Sequence, residues 1–171
     1  ADLRNAYEGF KYSHASIMYN VLQEIPQMKK LVQVGIRDYC DEELEVINNH
    51  PDRINTFFDA GIKERQYEGE TWKLICEDIV KSLPDKVYIS FDIDGLDPKL
   101  CPDTGTPVPG GFEMEQIFYL FKVLHQSGKK IIGFDLNEVS CGEHTTDGID
   151  AIIGARVLYK MCNYLMASKD R

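Results

Sequence analysis

The stretch that indicates the fold most clearly is VYISFDIDGLDP, residues 87–98. Its first five residues form an apolar run that predicts a buried β-strand. Two carboxylates, Asp92 and Asp94, follow at i and i+2, so both can reach one metal cluster if the strand unwinds where they sit. Acids are also common at strand exits, where they cap turns, and this is the alternative. The stretch predicts a hard-cation site at the carboxyl end of a strand.

Helices and strands alternate on both sides of this strand. Apolar spacing predicts helices at 14–25, 41–49, 71–83, 113–126 and 148–166, and strands at 31–36, 54–58, 87–91 and 130–135. Strands that alternate with helices are typical of βαβ units on a parallel sheet. With 171 residues and 43% apolar composition, the chain is expected to form a single α/β domain over residues 1–171.

Polar residues follow three of the predicted strands. Arg37-Asp38 follows the strand at 31–36, Asp92 and Asp94 follow the strand at 87–91, and Asn137-Glu138 follows the strand at 130–135. In open parallel sheets, ligands bind at the carboxyl ends of the strands. We therefore expect these three loops to converge on one candidate site.

Composition narrows the class of partner. The formal charge of −9 argues against nucleic acid or an anionic membrane, because the chain has no basic run to neutralise phosphates. No stretch approaches the roughly 18 apolar residues of a membrane span, and the first residues lack a signal pattern. The five cysteines include no close pair, which fits neither a disulfide framework nor a zinc knuckle. These features predict a cytoplasmic protein in a reducing compartment.

A longer stretch carries a family resemblance. Residues 90–98, continued by Pro102-Asp103-Thr104-Gly105-Thr106-Pro107 and by Gly110-Gly111, resemble the signature of the ureohydrolases, which include arginase, agmatinase, formimidoylglutamase and guanidinobutyrase. The segments 137–139 and 34–38 agree with the same family in order and spacing. The resemblance implies a three-layer α/β/α fold with a mainly parallel sheet. It also implies hydrolysis of a guanidino C–N bond to urea and an amine.

The resemblance implies a binuclear metal centre. In that family two Mn(II) ions share a bridging hydroxide, although Ni(II) and Zn(II) also accept Asp and His ligands. Asp92 would be the bridging ligand, Asp94 would bind one ion and Asp2 the other. The family's first metal motif reads Asp-Ala-His-x-Asp, and Ala1-Asp2 resembles only its last two positions. We therefore expect a C-terminal portion of such an enzyme, without its N-terminal strands, that cannot complete the metal centre alone.

The resemblance also implies roles for four side chains. Asp2 would pass a proton to the leaving amine, unless it is only a solvated acid near the chain end. His14 matches the family's proton-shuttling histidine; alternatively it is a first-turn residue of a helix capped by Ser13. Glu138 would pair with the guanidinium group, whose planar fork of donors a carboxylate matches. Thr106 would line the same pocket.

Departures from the family pattern bear on the substrate. Arginases often have a second acid two residues beyond the position of Asp38, and here that residue is Cys40. The loop at 140–147 also lacks the family's proline. The absence of the second acid at Cys40 favours agmatine over arginine as substrate. Arginase or formimidoylglutamase activity, a non-catalytic fragment, and a haloacid dehalogenase-like phosphatase with Asp92 as nucleophile are the alternatives.

The expected partners are a cationic guanidino small molecule and further copies of the chain. The ureohydrolases commonly form trimers or hexamers, so a homo-oligomer is expected. Without neighbouring strands, the apolar face of the helix at 113–126 is expected to be exposed and to make partner contacts.

Overall fold

The computed structural model describes residues 1–140 and 148–169. It divides into two compact units, Ala1–Glu64 and Arg65–Arg171, which are described separately as the first and second unit. The expectation of a single domain stays a prediction.

The first unit contains two parallel strands among short helices. A 3-10 turn at His14–Ser16 leads into helix α1 (Ile17–Glu24), and β1 (Leu31–Ile36), α2 (Asp41–Asn49) and β2 (Ile54–Phe58) follow. Helix α3 (Asp59–Tyr67) begins in this unit and ends after its last residue, Glu64. Strand β1 pairs in parallel with β2, from Leu31 opposite Ile54 to Ile36 opposite Phe58. The register shifts at Gly35, whose φ of 82° is a conformation that side chains disfavour. Leu3, Leu22 and Ile54 form the buried core.

The second unit repeats the arrangement with longer elements. Helix α4 (Trp72–Ser82) precedes β3 (Lys86–Asp92) and a 3-10 turn at Ile93–Gly95, followed by α5 (Met114–Gln126), β4 (Lys130–Asn137) and α6 (Ile149–Lys169). Strands β3 and β4 are parallel. The buried cluster of this unit takes one residue from each of α4, β3, α5 and β4: Val80, Val87, Leu124 and Ile131. Tyr164 and Leu165 of α6 pack against it.

The predicted elements are confirmed, with end points that differ by up to three residues. The strands at 31–36 and 54–58 and the helix at 41–49 agree to the residue. Helix α3 was missed, because its sequence DAGIKERQY contains one buried apolar residue, Ile62, and thus no apolar stripe.

One expectation about exposed surface is wrong. Helix α5 buries its apolar face within the second unit, since Ile117, Phe121 and Leu124 are each at most 5% exposed. Several exposed large apolar residues of this unit lie on α6 instead, including Ile152 and Tyr159. The expected exposure of the 113–126 helix is corrected by this burial.

Two further features concern the membrane and the cysteines. None of the helices in residues 1–140 and 148–169 is long and apolar enough to cross a membrane. Among the described residues, Cys40, Cys76, Cys101 and Cys162 take part in no disulfide bond, whereas Cys141 lies outside that part of the chain.

Candidate active site

The carboxylate pair lies where β3 ends. Asp92 is the last residue of the strand, and Asp94 lies in the 3-10 turn that follows, so the strand does unwind at this point. The side chain of Ile93, between the two acids, is fully buried and holds the turn against the core. The carbonyl of Ile93 accepts hydrogen bonds from the Leu96 N–H at 3.0 Å and the Cys101 thiol at 3.3 Å. These contacts fix the backbone between the two acids.

A polar patch surrounds Asp92 on the paired strands. Ser90 lies opposite Asp135, and Asp92 lies opposite Asn137, so the period of two along each strand brings them together. Oδ1 of Asp135 accepts from the Ser90 hydroxyl at 2.8 Å and from the Asn137 amide at 2.7 Å. The patch therefore joins the ends of β3 and β4.

The environment of Asp92 disfavours its charged form. Burial raises the pKa of the Asp92 carboxyl, and the charges of Asp94 and Asp135 raise it further. A hydrogen bond from the Asn137 side chain lowers the pKa and opposes these effects. A cation beside Asp92 and Asp94 would relieve the repulsion between them.

The loop after β3 closes on itself, because its last residues hydrogen-bond to residues near its start. Phe112, which is 2% exposed, donates its N–H to the Gly95 carbonyl and accepts from the Asp97 N–H. The closed loop places the Thr106 hydroxyl 3.5 Å from Oδ2 of Asp94. Thr106 was expected in the pocket of Glu138, and its polar contact is with the second carboxylate of the pair.

Glu138 follows β4 in an unusual backbone conformation. Its φ is 61°, in the left-handed region that residues with side chains rarely occupy. Its carbonyl accepts a hydrogen bond from the Thr104 hydroxyl at 2.9 Å. A Cβ on Gly105 would lie 3.6 Å from Oε2 of Glu138, so the carboxylate rests beside the bare backbone of the same loop.

Asp2 belongs to the first unit and is also in the left-handed region, with φ of 60°. Its carbonyl accepts from the Tyr19 N–H at 3.1 Å. The next residue, Leu3, is 1% exposed and donates its N–H to Oε1 of Glu43 at 2.9 Å. The backbone around Asp2 is thus held by α1 on one side and by α2 on the other.

Glu43 is a buried acid of the first unit. It is 2% exposed, and its second oxygen accepts from the Cys40 N–H at 2.9 Å. Burial raises the pKa of Glu43, but the hydrogen bonds from the Leu3 and Cys40 backbones outweigh burial and leave the pKa below its ordinary value. Glu43 is therefore a charged acceptor that joins the N-terminal segment to α2.

His14 begins the 3-10 turn of the first unit and is exposed. Its ring meets the ring of Tyr7 edge-on at 5.4 Å. The Ser13 side chain makes no cap hydrogen bond to the turn and pairs with the Ser16 hydroxyl at 2.9 Å. The alternative reading of Ser13 as a hydroxyl cap therefore loses its basis.

The predicted site residues fall into two groups. Asp92, Asp94, Thr106 and Glu138 lie at the carboxyl ends of β3 and β4 or in the loop beside them, all in the second unit. Asp2 and His14 belong to the first unit. The loop at 140–147, which departs from the family pattern, lies outside the described residues from 141 onward. Within residues 1–140 and 148–169, no group of three or more His, Cys, Asp or Glu side chains is arranged to hold a metal ion.

Three residues that contact predicted site residues or their neighbours received no role from the sequence. Glu43 and Thr104 each contact a segment at least 34 residues away, and no local pattern reports such contacts. Asp135 could have been found, because Ser90, Asp92, Asp135 and Asn137 share the alternation of two paired strands.

Comparisons with known proteins identify relatives of the chain. The model of the arginase family matches residues 1–163. The chain is 38% identical to the N(1)-aminopropylagmatine ureohydrolase of Thermus thermophilus, over 82% of this chain and 43% of that protein. It is 34% identical to the agmatinase of Pyrococcus horikoshii, over 81% of this chain and 44% of that protein.

A solved structure shows the same fold. The hypothetical agmatinase of Burkholderia thailandensis superposes with a TM-score of 0.77 at 28% identity, over 99% of this chain and 50% of that one. The arginase-like α/β fold expected from the sequence is thereby confirmed. The chain spans about half the length of the curated relatives it matches.

Proposed function

The chain belongs to the arginase family, and on that premise we propose that the whole protein is a metal-dependent ureohydrolase that cleaves a guanidino C–N bond. The observation that carries the proposal is the position of three acids at the carboxyl ends of two paired, parallel strands. Asp92 and Asp94 follow β3, and Glu138 follows the adjacent, parallel β4. The carboxyl end of a parallel sheet is where such folds bind ligands.

The carboxylate pair suits a hard divalent cation. Arginase-family enzymes use a binuclear metal centre, and carboxylate oxygens are ligands that Mn(II) accepts. We assign Asp92, Asp94 and Asp2 as protein ligands, with Mn(II) as the metal. Burial raises the pKa of Asp92, the charges of Asp94 and Asp135 add to this, and both effects support a cation beside the pair. When bound, the metal would activate a water molecule for attack on the guanidino carbon.

The chain's own residues bind the substrate and move protons in this proposal. The exposed carboxylate of Glu138 pairs with the guanidinium group and fixes its orientation. Asp2 holds a proton and passes it to the leaving amine. His14, exposed at the start of its turn, is the proposed group that exchanges protons between the site and solvent. Thr106, whose hydroxyl lies 3.5 Å from Asp94, keeps that carboxylate oriented.

We propose agmatine as the substrate. Cys40 occupies the position at which arginases often have an acid for the α-amino group, and a neutral thiol cannot pair with that cation. Burial raises the pKa of the Cys40 thiol and keeps it neutral. Two of the relatives are named as an agmatinase and an N(1)-aminopropylagmatine ureohydrolase, and these names refer to agmatine and to a derivative of it, both of which are guanidino compounds. The family match favours this reading over a phosphatase.

The test is a substrate panel with the full-length protein and Mn(II). Urea is measured with agmatine, arginine and guanidinobutyrate, and formamide is measured with formimidoylglutamate. Agmatine is expected to have the highest kcat/KM. Formamide from formimidoylglutamate without urea from the other three would refute the substrate, and no product from any of the four would refute the activity. Assembly into a trimer or hexamer stays a prediction for sedimentation analysis.

A further inference from the structure

The backbone of Glu138 needs support from its surroundings. A residue with a side chain persists in the left-handed region when neighbouring groups hold it there, and Glu138 has φ of 61°. Glu138 itself is exposed, so burial of its side chain cannot supply that support. The support must come from contacts to its backbone and to the residues beside it.

Thr104 makes such a contact. Its side chain is buried, with 4% of the residue exposed, and its hydroxyl donates to the Glu138 carbonyl at 2.9 Å. The two residues are 34 positions apart, so the hydrogen bond joins the loop after β3 to the end of β4. Because Gly105 follows Thr104 directly, the same loop brings bare backbone beside the Glu138 carboxylate. One loop thus donates a hydrogen bond to the backbone of Glu138 and runs beside its carboxylate.

The loop is in turn attached to helix α6. Asp150, in the first turn of that helix, is fully buried and accepts from the Asp103 N–H at 3.4 Å. On the other side, a Cβ on Gly154 would lie 3.1 Å from a methyl of Val139, so α6 receives Val139 against its bare backbone. Helix α6 therefore contacts the residue before Thr104 and the residue after Glu138.

We propose that Thr104 is a positioning residue of the active site, whose hydroxyl holds Glu138 in the conformation that pairs with the guanidino group. The inference deepens the proposed function and rests on it for the identity of the ligand. Because Glu138 contacts the same guanidinium in the ground state and during the reaction, loss of its position raises KM more than it lowers kcat. A residue that only stabilised the fold would not produce this split.

The test compares variants of the full-length protein. Thr104→Val removes the hydroxyl, and Thr104→Ser retains it. Thr71→Val is the matched control, because Thr71 also contacts backbone through its hydroxyl, accepting from the Leu74 N–H at the start of α4. The readouts are kcat and KM for agmatine, the thermal unfolding midpoint, and the Cα and Cβ chemical shifts of Glu138, which report its backbone conformation.

In Thr104→Val, kcat/KM is expected to fall about ten- to a hundredfold, mainly through KM, because a misplaced contact group costs about that much. The Glu138 shifts are expected to leave the left-handed range. Thr104→Ser and Thr71→Val are expected to retain both the KM and the Glu138 shifts of the wild type. Should Thr104→Val fail to fold, Thr104→Ala takes its place with the same expectations.

Unchanged KM and unchanged Glu138 shifts in Thr104→Val would overturn the inference, as would an equal rise of KM in Thr71→Val. Failure of the proposed function looks different: the wild type then turns over no guanidino compound. In that case the hold of Thr104 on Glu138 is judged on the shifts alone, which must still move in Thr104→Val and stay in place in the two controls.

Discussion

Replacing Glu43 by alanine is expected to release the segment that carries Asp2. Glu43 is 2% exposed and accepts from two backbone N–H groups, those of Leu3 and Cys40, each at 2.9 Å. Leu3 directly follows Asp2, and Cys40 precedes the first residue of α2. Without the carboxylate, both N–H groups lose a charged acceptor in a region that water reaches poorly.

The magnitude follows from these two hydrogen bonds. A buried N–H left without an acceptor costs about 1–3 kcal/mol, so two cost roughly 2–6 kcal/mol. Removing a buried charge returns part of this amount, because burial opposes the ionised carboxyl. We expect Glu43→Ala to destabilise the first unit by about 3 kcal/mol. Glu43→Gln keeps one acceptor oxygen and is expected to cost about half as much.

Amide hydrogen exchange is the suitable assay, because the chain's single tryptophan, Trp72, belongs to the second unit and does not report on the first. At about 2 kcal/mol per amide, exchange at Leu3 and Cys40 should accelerate roughly 30-fold in Glu43→Ala. Glu45→Ala is the control, since Glu45 is an exposed acid on the same helix. Equal exchange in the two variants would refute the assignment of Glu43 as an anchor.

The pH dependence of this anchor has a definite sign. The folded state lowers the pKa of Glu43 below its ordinary value of 4.5, so the ionised form stabilises the fold. Its contribution is complete above that value and is lost as the pH falls through the folded pKa. Protection of the Leu3 amide should therefore decline with acidification below 4.5 in the wild type and vary less in Glu43→Ala.

Two further substitutions probe the second unit. Gly105→Ala adds a methyl group 3.6 Å from the Glu138 carboxylate, which is an ordinary contact, so the free energy of unfolding should change by about 0.5 kcal/mol or less while KM for agmatine rises severalfold. The control is Gly61→Ala, which has open space around its Cβ and should leave KM unchanged. Equal KM values in the two variants would contradict the placement of Glu138. Asp150→Asn keeps an acceptor for the Asp103 N–H but cannot ionise; because burial raises the pKa of Asp150, the wild type loses stability as the pH rises above 3.8 through the folded pKa. Urea midpoints across that range should fall less with rising pH in Asp150→Asn, and an unchanged slope would exclude Asp150 as the source.

Most helices and strands of the fold could be predicted from local sequence patterns. Strands β1 and β2 were predicted to the residue, because short apolar runs between polar turns have few other readings. Helix α3 was missed, since its one buried apolar residue gives no periodic stripe. The carboxylates Asp92 and Asp94 could be found because they sit at a strand end, a place that the strand itself identifies.

The supports of the site could not be predicted in the same way. Thr104 and Glu43 act on Glu138 and Leu3 through contacts 34 and 40 residues apart in the chain. Such contacts depend on how the elements pack, and a single threonine or glutamate in a polar segment carries no signal of its distant partner. The positive φ values of Asp2 and Glu138 could not be predicted from the sequence either, because neither residue is a glycine.

Urea release from agmatine by the full-length protein with Mn(II), compared between the wild type and Asp92→Asn, tests the central claim most directly. The control is Asp85→Asn, an identical change at an exposed residue just before the other end of β3. We expect the wild type and Asp85→Asn to release urea at similar rates, and Asp92→Asn to lose about a hundredfold or more, since even weakening a ligand's surroundings costs 10- to 100-fold. Urea release by Asp92→Asn at the rate of the wild type would contradict the placement of the active site at the ends of β3 and β4.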